Sequence, residues 1–268
     1  MLSCPRLAVV LSLVSSATGS AQQSDTSKKA EPLFRWRDAW IATGIVAVAG
    51  ATIPFDTRLG EVFVDFGPQK NSIAYSTSKV FDNLGSPGAI VVGVGAYVVG
   101  RLAGRPHVAD LGLHTTEALI VAGTETFILK GLAGRERPFI DPTDAYRFKF
   151  AGGFGKGHDS MPSGHTTAAF AAVAAINHEI ETWWPHRPFI VPPLLYTGAT
   201  LVGAARVYGQ KHWPSDVIIG ALVGASAGIK VVRYNHAHPH NRLDRWLGAI
   251  TAGPSPLDPG RWIMTVGN

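Results

Sequence analysis

The chain has 268 residues, 46% of them hydrophobic and only 16% charged, against about 25% charged in an average soluble domain, with 30 glycines. That balance points to closely packed helices around a sizeable core, in lipid or in a buried interior, with no linker dividing the chain. The 24 Lys and Arg against 19 Asp and Glu leave a charge of +5. These basic residues are scattered rather than gathered in a stripe interleaved with aromatics, which excludes nucleic acid as a partner.

In chain order, Met1 to Arg6, an apolar run Leu7 to Val14 and small residues ending at Ala21 have the layout of a secretory signal, so residues 1–21 are expected to direct export. An uncleaved anchor is the alternative, weakened because the apolar run is shorter than the ~20 residues a span needs. The single cysteine, Cys4, lies in this segment, so a processed chain carries no disulfide, no thiol catalyst and no cysteine metal ligand. Residues 22–87 read as a polar stretch followed by a first helix region.

Apolar stretches at Trp40–Phe55, Gly88–Leu102, Leu113–Leu132, Ser163–Ile176, Phe189–Val207 and Asp216–Val232 predict an all-α fold, a bundle of about six helices, embedded in a membrane. Alanine, leucine, valine and glycine dominate them, period-2 alternation is absent, and proline or glycine clusters separate them. The core unit is expected over 88–234, and 235–268 reads as an irregular tail without assignable chemistry.

Several runs are short, Glu117 and Glu125 fall inside the third, and the mean hydropathy is only +0.13, so a soluble helical core stays open. Arg101 and Arg105 in one loop, and Lys230, Arg233, Arg242 and Arg245 after the last helix, would face the cytoplasm by the positive-inside tendency. A cleaved signal argues the other way, because three spans would then precede Lys130 with the mature N-terminus outside. The conflict is removed if Trp40–Phe55 lies at the interface, or if the protein is an exported soluble or peripheral one.

Three fragments carry the chemistry: Lys130 to Pro138 (KGLAGRERP), Pro162 to His165 (PSGH) and Arg206 to Asp216 (RVYGQKHWPSD). They collect cations and two histidines without the carboxylate set of a metal site. A tetrahedral anion passing through a pentacoordinate transition state needs fixed positive donors, a nucleophile and an acid for the leaving oxygen, and all three kinds of group are present. In order and spacing, K-x6-R-P, P-S-G-H and R-x5-H-x3-D resemble the signature motifs of the type 2 phosphatidic acid phosphatase (PAP2) family over about Gly88 to Val232. One departure is Ala205, where the family usually has serine before the arginine.

The resemblance implies a phosphatase working through a phosphohistidine without metal or other cofactor, on a phosphorylated lipid or a small phosphate ester. The family's substrates include phosphatidic acid, phosphatidylglycerophosphate, undecaprenyl diphosphate and lipid A phosphate. Location would be the cell membrane with an extracytoplasmic site, or the periplasm. His212 is the expected nucleophile and Asp216 the carboxylate that holds its second ring nitrogen. His165 is the expected general acid. Lys130, Arg137 and Arg206 are expected to grip the phosphate oxygens, aided by Ser163 as a helix N-cap and Gly164 with amides facing the anion. Arg135 and Glu136 read as a solvated pair or as support behind the ligands. His107, His114, His158, His178 and His186 show no metal-ligand spacing, and His236, His238 and His240 read as a solvated tail. Rival readings are a soluble periplasmic acid phosphatase, a vanadium haloperoxidase using the same cradle, and a non-catalytic lipid-binding membrane protein.

Overall fold

A computed structural model describes residues 36–65, 72–155, 157–238, 250–255 and 258–266. The expected signal segment 1–21 with Cys4, and His240, Arg242 and Arg245, lie outside the described residues. The chain forms α1 (Trp36–Thr52), a 3-10 turn (Ile53–Phe55), α2 (Asp56–Asp65), α3 (Ser72–Leu84), α4 (Ser86–Leu102), α5 (Pro106–Ala133), α6 (Gly164–Trp183), α7 (Val191–Tyr208) and α8 (Pro214–Ala237). Where an irregular tail was expected, α8 continues to Ala237 and two strands, β1 (Ile250–Ser255) and β2 (Asp258–Val266), pair antiparallel with Ile250 opposite Val266.

Prolines open the helices. Pro87, Pro106, Pro192 and Pro214 occupy first-turn positions, where the missing amide costs nothing. Gly134 closes α5 in the left-handed region at φ 57°, its amide donating to the Lys130 carbonyl. A Cβ there would come 1.8 Å from the Lys149 carbonyl oxygen, so only glycine lets the chain turn off α5 into the long loop that carries Arg135 and Arg137.

The six expected helices are all present as α1 and α4 to α8. Two more were missed: α2 and α3 mix apolar residues with Asp56, Arg58, Glu61, Lys79 and Asp82, so they show no apolar stretch. The core is built from small residues. Ala118, Ala122, Ala171, Ala174 and Ala175 are essentially buried, and Gly220, Gly224 and Gly228 form a stripe on α8 against α6. A Cβ at Gly224 would stand 2.2 Å from the Thr167 carbonyl oxygen, which shows how closely the two backbones approach.

Large apolar side chains point the other way. Val91, Val98 and Val99 of α4 and Ile120, Phe127 and Ile128 of α5 are exposed. Among the described residues, two segments, Trp36–Val62 and Pro214–Ala237, are long and apolar enough to cross a membrane, and a third is if the bent pair Ser76–Leu84 and Ser86–Leu102 counts as one.

Helix α1 runs the length of α8. At one end Lys230 donates to Asp38 at 2.7 Å, and at the other Ser215 donates its amide to Asp56 at 2.8 Å. Those α8 positions are fifteen residues apart, about 22 Å of helix. Trp40–Phe55 therefore runs alongside α8.

Candidate active site

The C-terminal ends of α5 and α7, the N-terminal ends of α6 and α8, and the loop 134–163 meet at one end of the bundle, bringing all three fragments together. His212, in the short loop before α8, is 2% exposed, and its Nδ1 donates to the Ser160 carbonyl at 2.8 Å. That bond fixes the tautomer and leaves Nε2 with its lone pair. Burial, followed by the charges of Lys130, Arg206 and Arg137, holds its pKa well below the usual imidazole value, so the ring is neutral.

Asp216 was expected to accept the His212 proton directly. Its Oδ2 instead lies 3.9 Å from Nδ1, beyond a hydrogen bond. Fully buried in the first turn of α8, the carboxylate accepts from Ser160 Oγ at 2.5 Å, from the Trp213 amide at 2.9 Å and from Arg135 at 2.7 Å. The backbone carbonyl of Ser160 holds the imidazole and Asp216 holds Ser160, so Asp216 acts on His212 at one remove.

Arg135 is no solvated residue. It is fully buried, donating to Asp216 and to Asp56 at 2.7 Å each, to Ser215 Oγ at 2.7 Å, and twice to the Ala145 carbonyl, with the rings of Phe148 and Trp213 over its guanidinium. Asp56 in turn accepts from the Ser215 amide and hydroxyl. Two carboxylates and one guanidinium thus satisfy each other without water, the condition under which charges are tolerated in an interior. Glu136 behaves differently, its carboxylate 3.6 Å from Arg147.

The expected phosphate ligands converge, each already facing an oxygen. Lys130 donates to the Asp159 carbonyl, and Arg137 grips the Asp159 carboxylate with Nε at 2.9 Å and a terminal nitrogen at 2.6 Å. Arg206 and Lys211 share Asp82, at 2.5 and 2.8 Å. Burial alone would raise the Asp159 pKa, but the Arg137 hydrogen bonds and the Arg137 and Lys130 charges outweigh it and hold the carboxyl below its usual value. Asp159 and Asp82 thus occupy the Arg137 and Arg206 donors expected from the sequence to hold a phosphate.

Ser163 is the N-cap residue of α6, and it is buried, but its hydroxyl accepts from Thr166 at 2.9 Å rather than from a helix amide, while its own amide donates to the Asp216 carbonyl at 3.0 Å. The amides of Gly164 and His165 in the first turn have no acceptor within the helix and remain for an anion. A Cβ at Gly164 would stand 3.8 Å from Lys130 Cε, an ordinary contact, so the backbone here lies directly against the Lys130 side chain without steric need for glycine. His165 is half-buried against Gly85, where a Cβ would press to 2.9 Å on its ring. A cavity of about 210 Å³ opens beside His165 between α4, α5 and α6, walled by Ile90, Leu119, Gly123 and Ala168. His212 and Trp213 border a second, of about 170 Å³.

Asp56, Asp82, Asp159, Ser160 and Lys211 were not foreseen. Asp159 and Ser160 directly precede PSGH and Lys211 lies within the third fragment, so proximity to the motifs was a usable signal for those three. Nothing in the sequence ties Asp56 or Asp82 to residues more than 120 positions away. Among the described residues, the one trio of His and acidic side chains close enough to share a metal ion, His114, Glu179 and His236, lies at the other end of the bundle.

Residues 111–239 match the family model of the PAP2 superfamily. They form a PAP2 superfamily domain. Among curated relatives, a lipid A 1-phosphatase of Porphyromonas gingivalis is 36% identical over 126 residues, 47% of this chain and 23% of that protein. Lipid phosphate phosphatase 1 of Arabidopsis thaliana is 31% identical over 150 residues, 46% of this chain and 44% of its own. The chain spans less than half the length of either relative. The crystal structure of the first transmembrane PAP2 type phosphatidylglycerolphosphate phosphatase from Bacillus subtilis superposes with a TM-score of 0.52 at 20% identity, over 78% of this chain and 99% of that one, so the helical fold is shared. The PAP2 domain contains Lys130, Arg137, Ser163, Gly164, His165, Arg206, His212 and Asp216. Asp56 and Asp82, which close the ion pairs around them, come from α2 and α3, ahead of it.

Proposed function

We propose that the protein is a membrane-embedded phosphatase that hydrolyses a phosphomonoester or pyrophosphate of a lipid through a phosphohistidine on His212. The observation that carries the reading is a buried, neutral imidazole with its Nδ1 proton committed to Ser160 and its other nitrogen unprotonated, in the field of Lys130, Arg137 and Arg206.

A phosphate entering the cradle takes the guanidinium and ammonium donors from Asp159 and Asp82. The Arg137–Asp159 pair is partly exposed, so by analogy with surface pairs the exchange costs about 1 kcal/mol or less, and a more highly charged phosphate recovers it. In the empty cradle burial and the charge of Arg206 pull the His165 pKa down to about 4, so the ring takes up its proton along with the phosphate, whose negative charge favours the imidazolium. The Nε2 lone pair of His212 attacks phosphorus, the bond to the leaving oxygen breaks, and His165 gives that oxygen its proton. The cations hold the three equatorial oxygens as charge grows on them. His165, now neutral, takes a proton from water as its oxygen attacks phosphorus. The P–N bond then breaks, returning inorganic phosphate and neutral His212.

The lipid assignment is supported by the apolar cavity beside His165 and by the outward-facing valines, isoleucines and phenylalanines. Orientation is supported by charge: Arg101, Arg105, Lys230 and Arg233 lie at the end opposite the cradle, and α1 starts at that same end beside Lys230. With that end cytoplasmic, α1, α4 and α5 lead to an extracytoplasmic cradle, in keeping with the positive-inside tendency. This arrangement puts the start of α1 in the cytoplasm and argues against a signal cleaved at Ala21.

The test is a panel of lipid phosphates and soluble phosphate esters, with phosphate release measured on the purified protein and on His212→Ala. The expected result is turnover of lipid phosphates by the parent and none by the variant, with its thermal melt unchanged. Turnover by His212→Ala would overturn the nucleophile; a preference for soluble esters would overturn the lipid reading.

A further inference from the structure

At the end of the bundle away from the cradle, three side chains from three helices turn inward on one point. His114 of α5 and His236 of α8 both aim a ring nitrogen at the same carboxylate oxygen of Glu179 on α6. His114 Nδ1 is in close contact with Oε1, and His236 Nε2 stands 3.0 Å from it. All three ligand atoms lie within 4.8 Å of one another. Two imidazoles merely satisfying a carboxylate would be free to divide themselves between its two oxygens. Their convergence on one oxygen makes a triangle of two nitrogens and one oxygen instead.

In a tetrahedral zinc site, bonds of roughly 2.0–2.2 Å place neighbouring ligand atoms about 3.4 Å apart. The triangle is near that size, and small rotations of the rings would open it to the required spacing. Glu179 and His114 are buried, so a dication there would offset the carboxylate in an interior that solvates it poorly. His236, on the last turn of α8 with 41% of its side chain exposed, leaves a route for an ion from solvent. One turn along α5 from His114, Glu117 accepts a hydrogen bond from Asn235, the neighbour of His236, which ties the same two helices beside the trio. His238 belongs elsewhere, donating to the Tyr234 carbonyl at 2.9 Å and stacking on that ring.

The geometry points to a divalent transition-metal site of the zinc class formed by His114, Glu179 and His236. Mixed imidazole and carboxylate ligands suit zinc and its surrogates cobalt and nickel, whereas magnesium and calcium favour oxygen alone. The sixteen residues of α5 between His114 and Lys130 put the site about 24 Å from the phosphate cradle, so its role is to pin α5, α6 and α8 together and not to serve the reaction.

The test uses the full-length protein in detergent, stripped with a chelator and titrated with Zn²⁺, reading bound metal and thermal melting. The parent is expected to bind one Zn²⁺ per chain and to melt at a higher temperature when loaded. His236→Ala is expected to bind at least about tenfold more weakly, the lower end of what is lost when even a supporting residue of a metal site is removed. His238→Ala is expected to bind as the parent does. No retained Zn²⁺, equal binding by His236→Ala, or equal loss in His238→Ala would each overturn the site. Cobalt loading of the parent is a measurement free of any folding defect in a variant. Intense visible bands of low-coordinate Co²⁺ support the site, and the weak spectrum of the octahedral aquo ion refutes it.

Discussion

Replacing Ser160 by alanine isolates the link between Asp216 and the nucleophile. The hydroxyl donates to Asp216 Oδ2 at 2.5 Å with both residues fully buried, while the Ser160 carbonyl that holds His212 survives the substitution. A hydrogen bond to a charged group contributes about 1.5–3 kcal/mol. Were all of it expressed in placing the imidazole for attack, kcat would fall roughly 10- to 150-fold, since each 1.4 kcal/mol is tenfold. KM should stay within about twofold, because Lys130, Arg137 and Arg206 are untouched. The assay is phosphate release over a range of lipid phosphate in mixed micelles, with thermal melting to check the fold. Ser160→Ala with parental kcat, beside an Asp216→Asn variant that has collapsed, would mean that Asp216 reaches His212 directly during turnover, and the relay through Ser160 would be wrong.

Asp159→Asn removes the carboxylate that competes for Arg137; a partly exposed pair of this kind is worth up to about 1 kcal/mol, so phosphate inhibition should tighten by up to about fivefold, measured as a Ki, and an unchanged or weaker Ki would show that Asp159 does not stand in the phosphate position. The depressed pKa of His212 means that lowering the pH does not protonate the nucleophile until well below the ~6.5 of a free imidazole. In a kcat/KM profile taken down to about pH 5, loss of rate from His212 protonation should therefore fall below 6.5; a protonated His212 seen by NMR near that value in the free protein would refute the assignment.

The bundle helices were legible because each is a long stretch of alanine, valine, leucine and glycine ended by proline or glycine. Helices α2 and α3 were not, since charged residues interrupt their apolar positions: Arg58, Glu61 and Lys79 are exposed, while Asp56 is buried and Asp82 half-buried in ion pairs. The three fragments do meet at one end of the bundle, as their order suggested. What they could not convey is partnership. The four-residue step from His212 to Asp216 suggests a direct hydrogen bond, but the first turn of α8 draws the carboxylate back to the Trp213 amide and toward Arg135, leaving a carbonyl from a separate loop to meet the imidazole. Arg135 read either as half of a solvated pair with Glu136 or as support behind the ligands; its burial is tolerated because Asp56, from a helix invisible in the pattern, pairs with it beside Asp216. His114, Glu179 and His236 sit on three helices with no short spacing among them, so their meeting appears only once α5, α6 and α8 are packed.

The tie from Asp56 through Arg135 to Asp216 also sets when the cradle can exist during synthesis. Asp56 and Ser215, which close the same network, are 159 residues apart, the one at the start of α2 and the other at the start of α8. Until the ribosome has released α8, Arg135 has one of its two carboxylates and His212 has no helix behind it. A chain without α8 therefore leaves Arg135 to Asp56 alone and lacks Asp216 and the seat of His212. The cradle is complete only once the last helix has joined the bundle.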